Sequence, residues 1–589
     1  MHTSTVEKNQ LCLWYAFAPH VSKHPNELCI WSRTGTYTWQ EVHDRAVQWA
    51  QFFLSKGVRP GDLVAMYLVN SVDFMVIWLG MLCIGCAPAL LNYNLKGEAL
   101  VHCLKISGAK VILVDDDEDV KTRFEATREN IETELGVDAV VVTPSFLEDL
   151  YTTKVDIPSD EYRTTVNPRS PACILYTSGT TGLPKAAPFL TSRFHERSDP
   201  RALPFDQSPA DRWYSSMPLF HGTGGMALLA ALTSGLSIAV GRKFSVSSHW
   251  PDIHDSRSTV FVYVGEAARY LLNAEPHPLE RAHGLRAMYG NGMRPDVWTR
   301  FKERFNVPSV IEFFNSTEGV LGFVNYSKNA YSSDSVGHHG AILRHKYRST
   351  FVPFAVDPST GALLRDPKTG FAIRTPYEVG GEILVKVPSE EAFAGYMGNP
   401  TANAKKFERD VLVKGDLYYR SGDALRRDGE GRWYFLDRLG DTFRWKSENV
   451  ATAEVAAVLG SFPGIAEATV YGVLVPHHDG RAGCAAVLFQ SGVTSKTFDW
   501  KAFHQYAREK LVKEGVPVFI RVVSKSSRTD NEKQNKGPLR EEGVELERFG
   551  EKVEGGEEDE VWWVGRGRET YVRFGGEELK GLRAGGARL

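Results

Sequence analysis

Residues 176–187 read YTSGTTGLPKAA, a stretch holding three threonines, one serine, two glycines, one proline and one lysine. It follows the apolar run Ala172-Cys173-Ile174-Leu175, so the pattern is a strand that leads into a glycine-rich turn. Glycine lets backbone N–H groups swing toward one point, and such amide nests bind anions. Hydroxyls add donors and a lysine adds a point charge. The stretch therefore suits a polyphosphate. It is not the P-loop of nucleotide triphosphatases, because Gly182-Leu183-Pro184-Lys185 lacks the GK[ST] ending. A polar surface turn is the plain alternative.

Around this turn, from about residue 35 to 330, short β-branched runs alternate with longer amphipathic stretches. VILVD (111–115), AVVVT (139–143), SIAVG (237–241) and VFVYVG (260–265) are strands by composition, and EVHDRAVQWAQFFLSKG (41–57) has helical apolar spacing closed by Gly57. Such alternation gives α/β layers. Near residue 437 the texture changes. LDRLGDTFRWKSENV is charged and turn-like. An amphipathic helix from about 452 and the strands ATVYGVLV and AAVLFQ follow. The expectation is a large domain over 1–440 and a small α+β domain over 441–589. The highly charged residues 524–560 read as a solvated loop.

The chain has 589 residues, 42% of them hydrophobic and 24% charged, with 69 basic and 72 acidic groups and a net charge of -3. That balance gives no basic excess and argues against a nucleic-acid partner. Seven scattered cysteines argue against a disulfide framework and for a reducing compartment. Cys83 and Cys86 form a CxxC inside an apolar run with no second pair, which favours buried small hydrophobes over zinc. Phe74 to Leu91 is 18 uncharged residues, the threshold for a membrane span, but Gly80, Gly85 and Pro88 divide it into a buried helix and a strand. Peripheral membrane contact stays open. The first ten residues carry no signal peptide. The last three, Ala587-Arg588-Leu589, fit a peroxisomal address read by an import receptor, with a cytoplasmic or membrane-peripheral site as the alternative.

Together with the opening stretch, NYNLKGEALVHCLKISGAK (92–110), YVGEAARYLLN (263–273), GNGMRPDVWTRFKERF (290–305), FFNSTEG (313–319), YYRSGD (418–423), LDRLGDTFRWKSENV (436–450) and GRAGCAAV (480–487) resemble the adenylate-forming superfamily. The superfamily comprises acyl-CoA synthetases, luciferases and adenylation domains. The closest resemblance is to its fatty acid transport protein and very-long-chain acyl-CoA synthetase branch. The resemblance implies a large multi-subdomain α/β N-terminal domain and a small mobile C-terminal domain. It also implies two half-reactions: a carboxylate attacks the α-phosphate of ATP, and the thiol of CoA then displaces AMP.

By the same resemblance, Thr177, Ser178, Gly179, Thr180, Thr181, Gly182 and Lys185 hold the β- and γ-phosphates. Thr317 contacts the α-phosphate and Glu318 holds Mg²⁺. Asn315 lies near the adenine. Asp423 accepts from the ribose diol, with Arg438 as a nearby donor. His221, in PLFHGTGG, stands near the reacting carboxylate, with a core-lining histidine as the alternative. The segment Gly222 to Ala227 fits a dinucleotide fingerprint only formally, because no acid lies between Trp213 and Pro251 to bind a ribose. Lys533, in TDNEKQNKGPLREEG, takes the place of the terminal catalytic lysine. The motif's usual glycine is absent, so Lys536 is the second choice. Asp441 takes the hinge position. Ser447 stands where the branch has a glycine beside the CoA tunnel, and VKEGVPVFI (512–520) also departs from the branch. The expected function is an ATP-dependent fatty acyl-CoA ligase. The alternatives are an acyl-AMP-forming enzyme serving another acceptor, such as a carrier protein, and a non-catalytic lipid-binding protein. The acyl pocket, shaped in part by Tyr263 to Arg269, does not disclose chain length, and the oligomeric state stays open.

Overall fold

The structure, a computed structural model, describes residues 10–179, 182–197, 207–357, 360–446, 448–478, 480–527, 534–545, 559–565 and 567–584. Two large sheets and a third, antiparallel sheet form the body of the protein. The first has 8 strands in the order Gly322–Ser327, Ser309–Asn315, Ala287–Asn291, Val260–Val264, Arg212–Ser215, Ser237–Val240, Leu28–Ser32, Gly35–Thr38. Its interior pairs are parallel and its two edge pairs antiparallel. The second has 6 strands: Asp138–Val142, Val111–Asp115, Leu63–Tyr67, Ala87–Leu90, Pro171–Gly179, Gly182–Leu190. Parallel strands need crossovers, and the alternating helices of this region supply them.

The helices Trp39–Ser55 and Val72–Cys83 pack against strands of both sheets and carry the largest apolar cluster, which contains Trp49, Phe74 and Trp78. Thr38 opens the first helix with a capping box to Glu41, and Ser71 caps the second through the Phe74 amide. Gly80 corrects the sequence reading. It does not break the apolar segment; the helix runs through it to Cys83. A Cβ there would lie 2.8 Å from the Ala46 carbonyl oxygen and 2.8 Å from Trp49 Cβ, so the glycine lets the two helices cross closely. The turn falls instead at Gly85, whose φ is 69°. Among the described residues, no helix is long and apolar enough to cross a membrane.

The third sheet is built from Gly337–His338, Arg432–Arg438, Leu417–Arg427, Gly381–Lys386 and Phe351–Phe354, with Phe407–Arg409 paired to Leu417–Arg427. Beyond residue 441 a separate apolar cluster, Phe443 to Leu582, gathers around a 5-stranded sheet that starts with Ile465–Leu474 and Arg481–Phe489. The charged 524–560 region is not wholly a solvated loop. Lys536–Glu542 is a helix that buries Leu539, and its Lys536 is held inside by Asp441. All seven cysteines are reduced and buried.

Candidate active site

In open sheets of parallel strands, ligands bind beyond the carboxyl ends of the strands. Here those ends are Val264, Asn291 and Asn315 of the first sheet and Gly179 of the second. The opening stretch forms the two arms of a hairpin, with Tyr176 opposite Ala186, Thr177 opposite Lys185 and Gly179 opposite Gly182. Thr180 and Thr181 lie outside the described residues, as do Lys533, Ser447 and Ala587 to Leu589. The backbones of Ser178, Gly179 and Gly182 fall within the arms.

Thr317, Glu318 and Gly319 form a tight turn after the strand Ser309–Asn315. Two groups that the sequence reading missed fix this turn. Arg193, on the helix Thr191–Arg197, donates to the carbonyls of Thr317 (2.6 Å) and Ser316 (3.1 Å) and lies over the Phe189 ring. The Tyr396 hydroxyl donates to Glu318 Oε1. Lys406 Nζ stands 3.8 Å from the same oxygen. Burial alone would raise the Glu318 pKa, but Lys406 and Tyr396 hold it below the usual range, so this carboxylate is ionised near neutral pH. Tyr396 also ties the turn to the hairpin. Its ring lies 5.1 Å from Lys185 Nζ, and the next residue, Met397, donates to the Ala186 carbonyl (2.9 Å).

Asp423 is buried on the strand Leu417–Arg427. Its approach is rigid. Arg420 pairs with the fully buried Glu382, the Gly422 amide donates to Glu382 (3.0 Å), and the Asp423 amide donates to Ser421 Oγ (3.1 Å). Arg438 faces Asp423 across the strands with Nε at 3.5 Å from Oδ1, and its side chain is 65% exposed. Burial raises the Asp423 pKa to about 6, against the pull of Arg438 and Lys406. Tyr419, four residues upstream, has a buried hydroxyl with no hydrogen-bond partner and feels the charges of Glu318 and Asp423. Lys406 and Tyr419 thus lie between the two acids.

On the other flank, His221 opens the Gly222–Met226 turn and accepts the Thr223 amide at 3.4 Å. The Thr223 hydroxyl donates to Asn291 Oδ1 (2.8 Å) at the end of the strand Ala287–Asn291. The next loop is clamped from below. Buried Glu312 accepts from the amides of Gly292 (2.6 Å) and Met293 (3.3 Å) and from the Tyr263 hydroxyl. Arg269, at the other end of the expected acyl-pocket segment, points away to Asp296 (2.5 Å). Asn315 ends its strand, exposed and opposite Gly322.

The small domain meets this flank. Arg294 donates to Gln534 (2.6 Å) and to the Ala468 carbonyl (3.4 Å), and Asn273 donates to the Ala466 carbonyl. The residue that follows Lys533 is thereby seated one residue beyond the clamped loop. Lys536 stands elsewhere. Its ammonium bonds Thr452 Oγ1 (2.6 Å) and Asp441 Oδ2 (3.1 Å), while Arg540 reaches the other Asp441 oxygen (2.6 Å). Burial lowers the Lys536 pKa against the pull of Asp441.

No group of three or more His, Cys, Asp or Glu side chains forms a metal cage among the described residues. A single ionised carboxylate such as Glu318 suits Mg²⁺, which takes one or two carboxylates and otherwise keeps water and substrate phosphates.

The model of the family described as AMP-binding enzyme matches residues 17–397. The isopenicillin N epimerase component 1 of Hapsidospora chrysogena is 45% identical over 576 residues, 97% of this chain and 89% of that protein. The very long-chain fatty acid transport protein of Cochliobolus heterostrophus is 36% identical over 585 residues, 98% of this chain and 88% of that protein. In fold, the anthranilate CoA ligase AuaEII in complex with anthranoyl-AMP aligns with a TM-score of 0.73 at 18% identity, over 90% of this chain and 96% of that one. By the family match over most of its length and by relatives that cover nearly all of it, the chain belongs to the AMP-binding, adenylate-forming enzymes and is an AMP-forming acyl ligase.

Proposed function

We propose that the protein activates a long- or very-long-chain fatty acid as its acyl-adenylate and transfers the acyl group to CoA. The observation that carries this reading is the convergence of Glu318, Asp423 and the hairpin through Tyr396, Lys406 and Lys185. Relatives named as fatty acid transport proteins that match nearly the whole chain support it.

In this reading the hairpin amides and Lys185 hold the β- and γ-phosphates, and Thr317 orients the α-phosphate. Bound at Glu318, Mg²⁺ would neutralise phosphate charge. Lys406 adds a fixed cation nearby, so repulsion between the incoming carboxylate and the triphosphate is reduced before reaction. Asp423 holds the ribose diol with its two acceptor oxygens. Lys533 is carried in by the small domain to the α-phosphate, and Asp441 is the pivot. The Lys536–Asp441–Arg540 cluster ties that pivot to the helix just past Lys533, which favours Lys533 over Lys536 for the site.

A second reading has its own support. The relative at 45% identity carries the name of an isopenicillin N epimerase component, which supports a modified acid in place of a plain fatty acid. Mass spectrometry of products from Mg-ATP and a graded set of acids, with and without CoA, separates the two. Long-chain acyl-CoA plus AMP supports the first. Turnover confined to modified acids supports the second. Acyl-AMP that persists beside CoA moves the acceptor role to another thiol, and no adenylate from any acid removes the ligase assignment.

Asp423 makes the nucleotide half pH-dependent. Its pKa is raised to about 6, so its ionised form, the better acceptor for the diol, is lost as pH falls through that value. Adenosine affinity, measured by calorimetry, is expected to drop below pH 6 in the wild type. Asp423→Asn is expected to bind weakly with no step there. A step that survives in the variant assigns the titration to another group.

A further inference from the structure

The described bonds between the small domain and the large one are polar, and domains joined in that way move against each other unless something holds them. One of these contacts is a closed ring. Gln534 uses both ends of its side-chain amide: Oε1 accepts from Arg294 (2.6 Å), and Nε2 donates to the Ala468 carbonyl (3.2 Å). Arg294 also reaches that carbonyl (3.4 Å). Arg294 comes from the large domain, and the other two residues come from the small one. Ala468 is buried within the strand Ile465–Leu474, so the ring ties Gln534 to the core of the small domain as well as to Arg294.

The large-domain end of the ring is also fixed. Arg294 follows Gly292 and Met293, whose amides are held by buried Glu312. Its Nε stands 3.6 Å from Oε1 of buried Glu266. A second buried acid, Glu467, enters this contact from the small domain. Burial and the charge of Glu266 raise the Glu467 pKa, against the pull of Arg269 and Arg294. Arg269 is already committed to Asp296 (2.5 Å). The small-domain helix Thr452–Gly460 ends on that pair, since a Cβ at Gly460 would lie 3.2 Å from Asp296 Oδ2. Acids brought together from opposite domains repel unless a cation joins them, and Arg294 is a cation that serves both.

Gln534 is next in the chain to Lys533. Consecutive Cα atoms are about 3.8 Å apart, so the place where Gln534 is held decides how far its neighbour can reach. The loop that carries Arg294 leaves the carboxyl end of the strand Ala287–Asn291, the side of the sheet on which ligands bind. We propose that Arg294 and Gln534 are positioning residues for adenylation: by gripping each other across the two domains, they hold the segment that carries Lys533 at the strand ends of the first sheet. Both act through Lys533 and not on the substrates. The inference rests on the role given to Lys533 above, and it holds for whichever acid the enzyme activates.

Pyrophosphate release without CoA tests it, using the full chain and the acid of the graded set that the wild type adenylates fastest. Arg294→Met and Gln534→Met are each expected to slow adenylation about tenfold, the scale for losing a hydrogen bond to a charged group. The double variant is expected to be no slower than the slower single one, because the two residues act as a unit. Arg294→Lys keeps a donor but loses the fork, and is expected to recover part of the rate. Mg-ATP affinity, measured by calorimetry, is expected to match the wild type in all of these variants, since the nucleotide is held by the large domain. A residue that only kept the protein folded would move affinity and rate together. Lys533→Ala, measured beside them, separates two failures. Adenylation at the wild-type rate in that variant removes the role of Lys533 and the inference with it. If Lys533→Ala is slow while Arg294→Met and Gln534→Met match the wild type, the role of Lys533 stands and the inference falls. Losses that multiply in the double variant, or that come with an equal loss of Mg-ATP affinity, also overturn it.

Discussion

Glu318→Gln is expected to slow acyl-adenylate formation by at least ~10²-fold, the scale for losing one oriented charge stabiliser. The substitution is close to isosteric. The amide oxygen can still accept the Tyr396 hydroxyl, so the turn and its tie to the hairpin stay in place. What disappears is the negative charge that Lys406 now faces at 3.8 Å. Two effects then add. In the proposed reading the site loses its carboxylate for Mg²⁺, and Lys406 is left free to pair with a phosphate in an unproductive position. Pyrophosphate release measured against Mg²⁺ concentration reads both. The expected curve has a lower plateau and a midpoint moved to higher metal. A variant within a few-fold of the wild type at every Mg²⁺ concentration would remove Glu318 from the chemistry.

Gly319→Ala is expected to cost as much, through geometry and not charge. Gly319 has a φ of 74°, a region that residues with a Cβ adopt only under strain. Its Cβ would also stand 2.0 Å from the guanidinium carbon of Arg193. That guanidinium is the clamp on the Ser316 and Thr317 carbonyls, so it cannot withdraw without releasing them. Either the turn or the clamp must move, and a displacement of about 1 Å at a reacting site costs on the order of 10²-fold. A double-mutant cycle separates collision from strain. Arg193→Ala alone is expected to reduce adenylation, because the turn loses its two donors. Adding Gly319→Ala to that variant is expected to cost less than it does in the wild type, since the colliding atoms are gone and only the backbone strain at φ 74° remains. Fully additive losses would show that the left-handed backbone, and not Arg193, governs the position.

Periodicity sufficed for the layers. The runs 111–115 and 260–265 are buried, β-branched strands, and the spacing over 41–57 is that of the helix Trp39–Ser55. The family resemblance pointed to Thr317, Glu318 and Asp423, and the structure shows a Thr317–Glu318 turn and a buried Asp423. The resemblance did not reach Arg193, Lys406, Tyr396 or Tyr419. Arg193 lies far along the chain from the Ser316 and Thr317 carbonyls it holds, and Tyr396 and Lys406 far from Glu318. Tyr419, only four residues before Asp423, is one of several tyrosines whose burial the sequence does not mark. Only the packing of the third sheet against the hairpin brings them together. Gly80 misled for a related reason. In sequence a glycine within an apolar run reads as a break, whereas its cause is a second helix some thirty residues away that needs the room. The charged 524–560 region misled because composition counts charges and not partners. Lys536 is inside because Asp441 and Thr452 receive it there.

The buried cysteines have a bearing on product identity. An acyl-adenylate is a strong acyl donor, and a thiolate near it would be acylated whether or not it belonged to the intended acceptor. Thiolates are the reactive form of cysteine. Burial pushes the thiols of Cys12, Cys83, Cys86, Cys103 and Cys484 up to about 12, and those of Cys29 and Cys173 upward as well. In the folded chain all seven therefore stay protonated at neutral pH and shielded from solvent. The enzyme does not compete with its acceptor for the activated acid, and a thioester that accumulates carries the acceptor's sulfur.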